Sequence, residues 1–216
     1  MQVTHLGHAC LLLEMAGTRV LVDPGEFTAD FAPATDVAAI IVTHQHIDHL
    51  DKARFPDLVR RNPDAVIIAD PQSAALLNDL GFDAIAQDGA PHLVGGVTLA
   101  PIGSIHALIH EDIPRVANVG VRLSAPGEPT FYHPGDTLAE DPGDVDVTAF
   151  PLNAPWQRSA DMVAFLRRVG AREAIPIHDG LLNVTGRKLY LSQARALGNT
   201  TIRDLAGVGA TAIEKD

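Results

Sequence analysis

The sequence predicts a mixed α/β fold, a sheet carrying helices on at least one face. Three observations predict it. Residues 1–80 read as a hairpin followed by strand, helix, strand and helix, an order that lays helices against a sheet. Ligand-type polar residues recur just past apolar strand-like runs, as when strand ends share one edge of a sheet. The 216 residues, 46% hydrophobic and 20% charged, suit one domain, 1–216, with a sizeable core, or at most two small ones.

Taken in order, residues 2–13 and 18–22 read as two strands joined across Glu14-Met15-Ala16-Gly17, and Asp23-Pro24-Gly25 ends the second. Residues 38–42 form an apolar strand, followed by a helix over 52–61 that Asn62-Pro63 stops. A short buried strand at 65–69 leads to a helix over 71–80, with Asp70 as its cap, Pro71 in its first turn and Gly81 past its end. Val97 to Ile102 is strand-like, and 107–115 reads as an exposed loop. A second hairpin joins 116–123 to 130–133, with 134–137 ending it. A strand at 145–151 precedes a helix over 160–169 with Met162, Phe165, Leu166 and Val169 on one face, Ser159 as cap and Gly170 as stop. A strand at 173–177, a helix over 187–197 and short strands at 201–205 and 210–213 complete the chain.

The formal charge of −11 opposes non-specific binding to nucleic acid or membranes. One cysteine, Cys10, excludes an internal disulfide and a thiolate-based zinc site, and its apolar run marks it as a buried thiol. No basic stretch leads into an apolar core at the N-terminus, and no apolar run approaches the roughly 18 residues of a membrane span. A cytoplasmic location without membrane attachment is the expectation.

The chemistry concentrates in Thr43-His44-Gln45-His46-Ile47-Asp48-His49, directly after the apolar run at 38–42. Residues two apart in an extended segment share a side, so His44 and His46 can bind one cation together. Asp48 and His49 lie past the point where the chain turns and can face a second cation. Imidazole and carboxylate without thiolate suit zinc, manganese or iron. His106, Asp136 and His178 also stand just past strands, with His110 competing with His106.

With Leu6-Gly7-His8-Ala9, Leu21-Val22-Asp23-Pro24, Gly135-Asp136-Thr137 and Pro176-Ile177-His178, this motif resembles the metallo-β-lactamase superfamily over nearly the whole chain. The small bacterial metal-dependent hydrolases grouped with ascorbate-6-phosphate lactonase are the nearest likeness. The resemblance implies a four-layer αββα sandwich. It also implies two divalent cations, zinc first with manganese or iron admitted: His44, His46 and His106 on one, Asp48, His49 and His178 on the other, and Asp136 bridging. Two cations about 3.5–4 Å apart make a bridging water acidic enough to attack as hydroxide near neutral pH. Asp48 and Asp136 are the expected catalytic carboxylates, and Asp23 is expected to orient a ligand histidine. His8 and His133 either line the site or are buried structural histidines; His5 and His92 are read as structural or exposed. Asn153, Trp156 and Asn183 are pocket candidates.

The activity this implies is hydrolysis of a small, anionic ester, lactone or phosphoester, with Arg115, Arg122, Arg158 and Lys188 as candidate anion contacts. A phosphodiesterase or nuclease, or a non-catalytic metal-binding scaffold, are the other readings. The acidic chain counts against polynucleotides.

Overall fold

The computed structural model describes residues 1–215. One seven-stranded sheet contains β1 (Gln2–Gly7), β2 (Cys10–Met15), β3 (Thr18–Val22), β4 (Ala39–Val42), β5 (Val66–Ala69), β6 (Ala84–Ala86) and β14 (Thr211–Ala212), in the order β14-β1-β2-β3-β4-β5-β6. The other contains β7 (His92–Val94), β8 (Val97–Ile102), β9 (Gly120–Ser124), β10 (Phe131–His133), β11 (Val147–Pro151), β12 (Glu173–Ile177) and β13 (Thr201–Ile202), in the order β13-β12-β11-β10-β9-β8-β7. Each is mixed: β3 to β6 and β10 to β13 run parallel, and the remaining neighbours pair antiparallel.

The helices are α1 (Phe55–Arg61), α2 (Pro71–Asp79), α3 (Ser159–Val169) and α4 (Val184–Leu197). They connect parallel strands and therefore lie on sheet faces. Phe55 and Leu58 of α1 and Leu77 of α2 pack with Ile40, Val42 and Ile67 on the outer face of the first sheet. Met162, Phe165, Leu166, Leu191 and Ala194 pack with Tyr132, Phe150 and Ala174 on the outer face of the second. Between the sheets, Val22, Ile41 and Ile68 meet Leu99, Leu123, Phe131 and Ile175. The result is the four-layer αββα sandwich. Ile41 faces inward while Ile40 and Val42 face α1, so both faces of β4 are buried and it reads as an unbroken apolar run.

Several boundaries differ from the sequence reading. Residues 2–13 are two antiparallel strands, because Gly7 (φ 123°) and His8 (φ 52°) take left-handed conformations and fold β1 back on β2. Helix α1 begins at Phe55, since the Asp51 carboxylate accepts from the backbone N–H groups of Ala53 and Arg54 and holds 52–54 in a turn. Ser159 is the first helical residue of α3 rather than its cap; the start is closed by Asp161, which accepts from the Arg158 backbone N–H at 3.0 Å. Asn183 caps α4, accepting from Gly186 N–H at 2.8 Å, so its side chain is committed there rather than to a pocket. Asp70 caps α2 as expected. Strands β6 and β7 were not anticipated: three residues each, they are too short to show a period. No helix among the described residues is long and apolar enough to cross a membrane.

Candidate metal centre

The chain returns to one edge of the sandwich at the ends of β3, β4, β8, β10, β11 and β12. Those ends deliver Asp23, the 43–49 loop, His106, Asp136, the 153–156 turn and His178. Close backbone packing shapes the loop: a Cβ on Gly25 would lie 1.8 Å from the carbonyl oxygen of Asp48, so only glycine fits beneath the motif.

Three groups of side chains each bring their ligand atoms within 4.8 Å of one another: His44, His46 and His106; His8, Asp48, His49 and His178; and His44, His49 and Asp136. All seven residues singled out from the sequence are therefore in one place, with Asp136 between the other groups. Its Oδ1 lies 3.1 Å from His49 Nε2; its Oδ2 lies 3.1 Å from His178 Nε2 and 3.4 Å from His106 Nε2.

Hydrogen bonds to Nδ1 orient four of the five imidazoles. His49 Nδ1 donates to Asp23 Oδ2 at 2.7 Å, His106 Nδ1 to the Ala107 carbonyl at 2.6 Å, and His178 Nδ1 to the Asn153 carbonyl at 2.8 Å. His44 is set through a relay. Asp23 Oδ2 accepts from the Thr43 hydroxyl at 2.8 Å, so the hydroxyl oxygen is left to accept from His44 Nδ1 at 3.1 Å. Each of these rings thus presents Nε2 to the centre.

Four buried atoms here have no hydrogen-bond partner: His49 Nε2, His106 Nε2, His178 Nε2 and Asp136 Oδ1. Imidazole lone pairs set about 3 Å from carboxylate oxygens repel unless a proton or a cation lies between them. The donor set, imidazole and carboxylate without sulfur, fits first-row divalent cations.

Without cations, protons fill this role. Burial opposes the charged form of His49, but Asp136 and Asp23 outweigh it and raise its pKa well above the usual histidine value. Burial likewise opposes charge on His178, yet Asp136 and Asp48 carry it up to about 9. Asp136 is desolvated, but His178 and His49 hold it well below the usual carboxylate range, and the neighbouring His178 and His8 lower Asp48 against its own burial. His44, buried among other imidazoles, is pushed well below the ordinary value.

His8 and Trp156 take defined roles in this geometry. His8 Nδ1 accepts from Gly180 N–H at 3.0 Å, which leaves Nε2 protonated to donate to Asp48 Oδ2 at 3.1 Å. Its carbonyl accepts from the His178 N–H at 2.9 Å; both residues sit at positive φ, 52° and 59°. The Gly7-His8 pair carried the signal for this turn, hidden in what reads as a continuous strand. The Trp156 indole N–H donates to Asp136 Oδ2 at 2.9 Å. Thr43, central to the relay, escaped notice because a threonine at a strand end is ordinary. His133 is structural: its Nε2 donates to the Ala9 carbonyl and its Nδ1 accepts from Gly135 N–H. His5, His92 and His110 belong to none of the three groups; His110 is exposed and accepts from Asp112 N–H. Cys10 is buried, which raises its thiol pKa, as expected of an inert core cysteine.

The basic side chains marked for anion binding are engaged or distant. Arg115 donates through Nε and Nη2 to the His106 carbonyl, Arg122 to the Asp144 carbonyl, and Arg158 forks onto Asp161. Lys188 lies on α4 beside Arg187 and Arg195.

Comparisons with known proteins identify the family and the fold. Residues 2–178 match the Beta-lactamase superfamily domain. The chain is 37% identical over 206 residues to Protein Rv0786c of Mycobacterium tuberculosis, covering 95% of this chain and 96% of that one. It is 32% identical over 200 residues to a UPF0173 metal-dependent hydrolase of Saccharolobus solfataricus, covering 82% and 83%. Its fold is similar to that of Igni18, a metallo hydrolase from Ignicoccus hospitalis, with a TM-score of 0.74, 16% identity and 99% of both chains covered.

Proposed function

Because the chain belongs to the metallo-β-lactamase superfamily and is a metal-dependent hydrolase, we propose that it uses two divalent cations to cleave a small ester, lactone or phosphoester. His44, His46 and His106 would hold one cation, Asp48, His49 and His178 the other, and Asp136 would reach both. The observation that carries this reading is the set of unpartnered buried atoms, three imidazole Nε2 and Asp136 Oδ1, in one cluster. The donor set suits zinc, manganese or iron alike, and zinc is the first expectation from the family resemblance.

The cations, when bound, supply the positive charge that makes a water acidic near neutral pH and polarises the substrate's acyl or phosphoryl oxygen. The chain's own residues do the rest. Asp23, Thr43, Ala107 and Asn153 fix the imidazole tautomers, so the donor atoms are set before any ligand arrives. The Trp156 indole N–H steadies Asp136 through Oδ2. His8 Nε2 donates to Asp48 Oδ2, which fixes that carboxylate in the cluster, where Asp48 would help orient the attacking water and accept its proton. The net charge of −11 disfavours polynucleotides as substrates.

Elemental analysis of the purified protein, followed by an ester, lactone and phosphoester panel with each metal found, tests this reading. His46→Ala and Asp136→Ala should lose both stoichiometric metal and turnover. Full activity in metal-stripped His46→Ala protein would reject it.

A further inference from the structure

Several exposed apolar side chains stand beside the cluster. Phe27 stands edge-on to His8, with ring centroids 5.0 Å apart, and is 38% exposed. Ile47 projects from the motif itself at 48% exposure, and its carbonyl accepts from Glu26 N–H, which sets it beside Phe27. Ile113, 46% exposed, lines a narrow cleft with His46 and His106. Trp156 closes another side, its ring 6.0 Å from that of His106. Leu181, 56% exposed, follows Gly180, whose N–H bonds His8. Large apolar side chains left exposed beside a polar cluster mark a binding surface more than chance exposure does.

Charge points the same way. The guanidinium lining the cleft, Arg115, is drawn onto the His106 carbonyl through two of its nitrogens. The residues beside the apolar ones in the chain, Glu26, Glu111 and Asp112, are acidic and exposed. An anionic substrate would meet these exposed carboxylates on its approach to the cluster, and a neutral one would not be opposed by them.

We infer that the site takes a small, uncharged ester or lactone whose alkyl portion packs against Phe27, Ile47 and Ile113, in place of the anionic substrate suggested by sequence. This inference rests on the hydrolytic reading of the same cluster. The acyl–oxygen bond breaks, water adds to the acyl carbon, and the alcohol leaves with a proton, so no further reactant is needed.

The test uses the metal-replete protein and p-nitrophenyl acetate, propionate, butyrate and hemisuccinate, the last a chain ending in carboxylate. Each added methylene should raise kcat/KM by roughly threefold to fourfold, from the burial of one CH2. Butyrate should exceed hemisuccinate by at least tenfold, and Ile113→Lys should shift that ratio at least tenfold toward hemisuccinate. Equal or better turnover of hemisuccinate by the native protein overturns the inference and leaves the hydrolase reading intact. A binding measurement that needs no turnover accompanies it: quenching of Trp156, the single tryptophan, by butyramide and by succinamate. Tighter binding of butyramide by tenfold or more supports the inference even if no ester is cleaved, an outcome that would count against the hydrolytic reading alone. Equal or tighter binding of succinamate overturns it.

Discussion

Replacing Asp23 with asparagine should disable two metal ligands at a position that touches no substrate. Asp23 is fully buried at φ 52°, a conformation asparagine tolerates as well as aspartate does, so the change adds no backbone strain. Its carboxylate accepts from Thr43 N–H at 2.7 Å, the Thr43 hydroxyl at 2.8 Å and His49 Nδ1 at 2.7 Å. An amide can keep the first of these through its oxygen but presents N–H groups to the other two. The Thr43 hydroxyl must then turn and donate to His44 Nδ1, which moves the His44 proton to Nε2 and removes the lone pair a cation needs. His49 meets an N–H at Nδ1 and suffers the same inversion. Loss of such a supporting contact costs about 10–100-fold in metal affinity, and with two ligands reversed the upper end applies. The metal-free protein should also lose stability, toward the lower end of roughly 3–5 kcal/mol, because Asp136 still faces His49 from the other side. Chelator competition on the native protein, Asp23→Asn and Thr43→Val gives the readout. Thr43→Val should weaken only the cation held by His44, and Asp23→Asn both. Native affinity for both cations in Asp23→Asn would refute the tautomer argument.

Metal uptake should release protons. His178, at about 9, is protonated in the metal-free protein at neutral pH, and His49 is as well. Affinity should therefore rise with pH as these imidazoles lose their protons, His178 near 9, and calorimetry in buffers of different ionisation enthalpy should record proton release at pH 7 that shrinks once pH passes the His178 value. Arg187 donates to Asp179 at 2.7 Å and forks onto Asp204 at 2.7 and 2.8 Å. Its hydrogen bond lowers the Asp204 pKa, so the stabilisation is present above the ordinary aspartate value near 4 and disappears as pH falls through the depressed one. Arg187→Met should cost about 1 kcal/mol at pH 7, with the difference closing in acid, measured by urea unfolding. Ile41→Ala, between the sheets, should cost about 2–5 kcal/mol and lower Tm without changing metal stoichiometry.

Much of the fold and most of the candidate site were legible because the informative residues are local. His44, His46, Asp48 and His49 stand within six positions after a buried strand, and β12 was read to its exact ends from its apolar run and flanking residues. What escaped was decided by tertiary contact. The turn at His8 is imposed by the pairing of β1 with β2 and by backbone bonds to the loop after β12, 170 residues away. The Thr43 relay depends on Asp23 arriving from another strand. The commitments of the basic residues were not legible either: they can be counted in a sequence, whereas contacts such as that of Arg115 with the His106 carbonyl exist only once the chain is folded.

The cluster draws on both halves of the polypeptide, and this imposes an order on maturation. A ribosome delivers His44, His46, Asp48 and His49 more than a hundred residues before His178. A cation arriving during synthesis would meet only an open cradle. Enclosure would wait until the second sheet docks, so loading would be a late event and an occupied centre would certify that both halves have assembled.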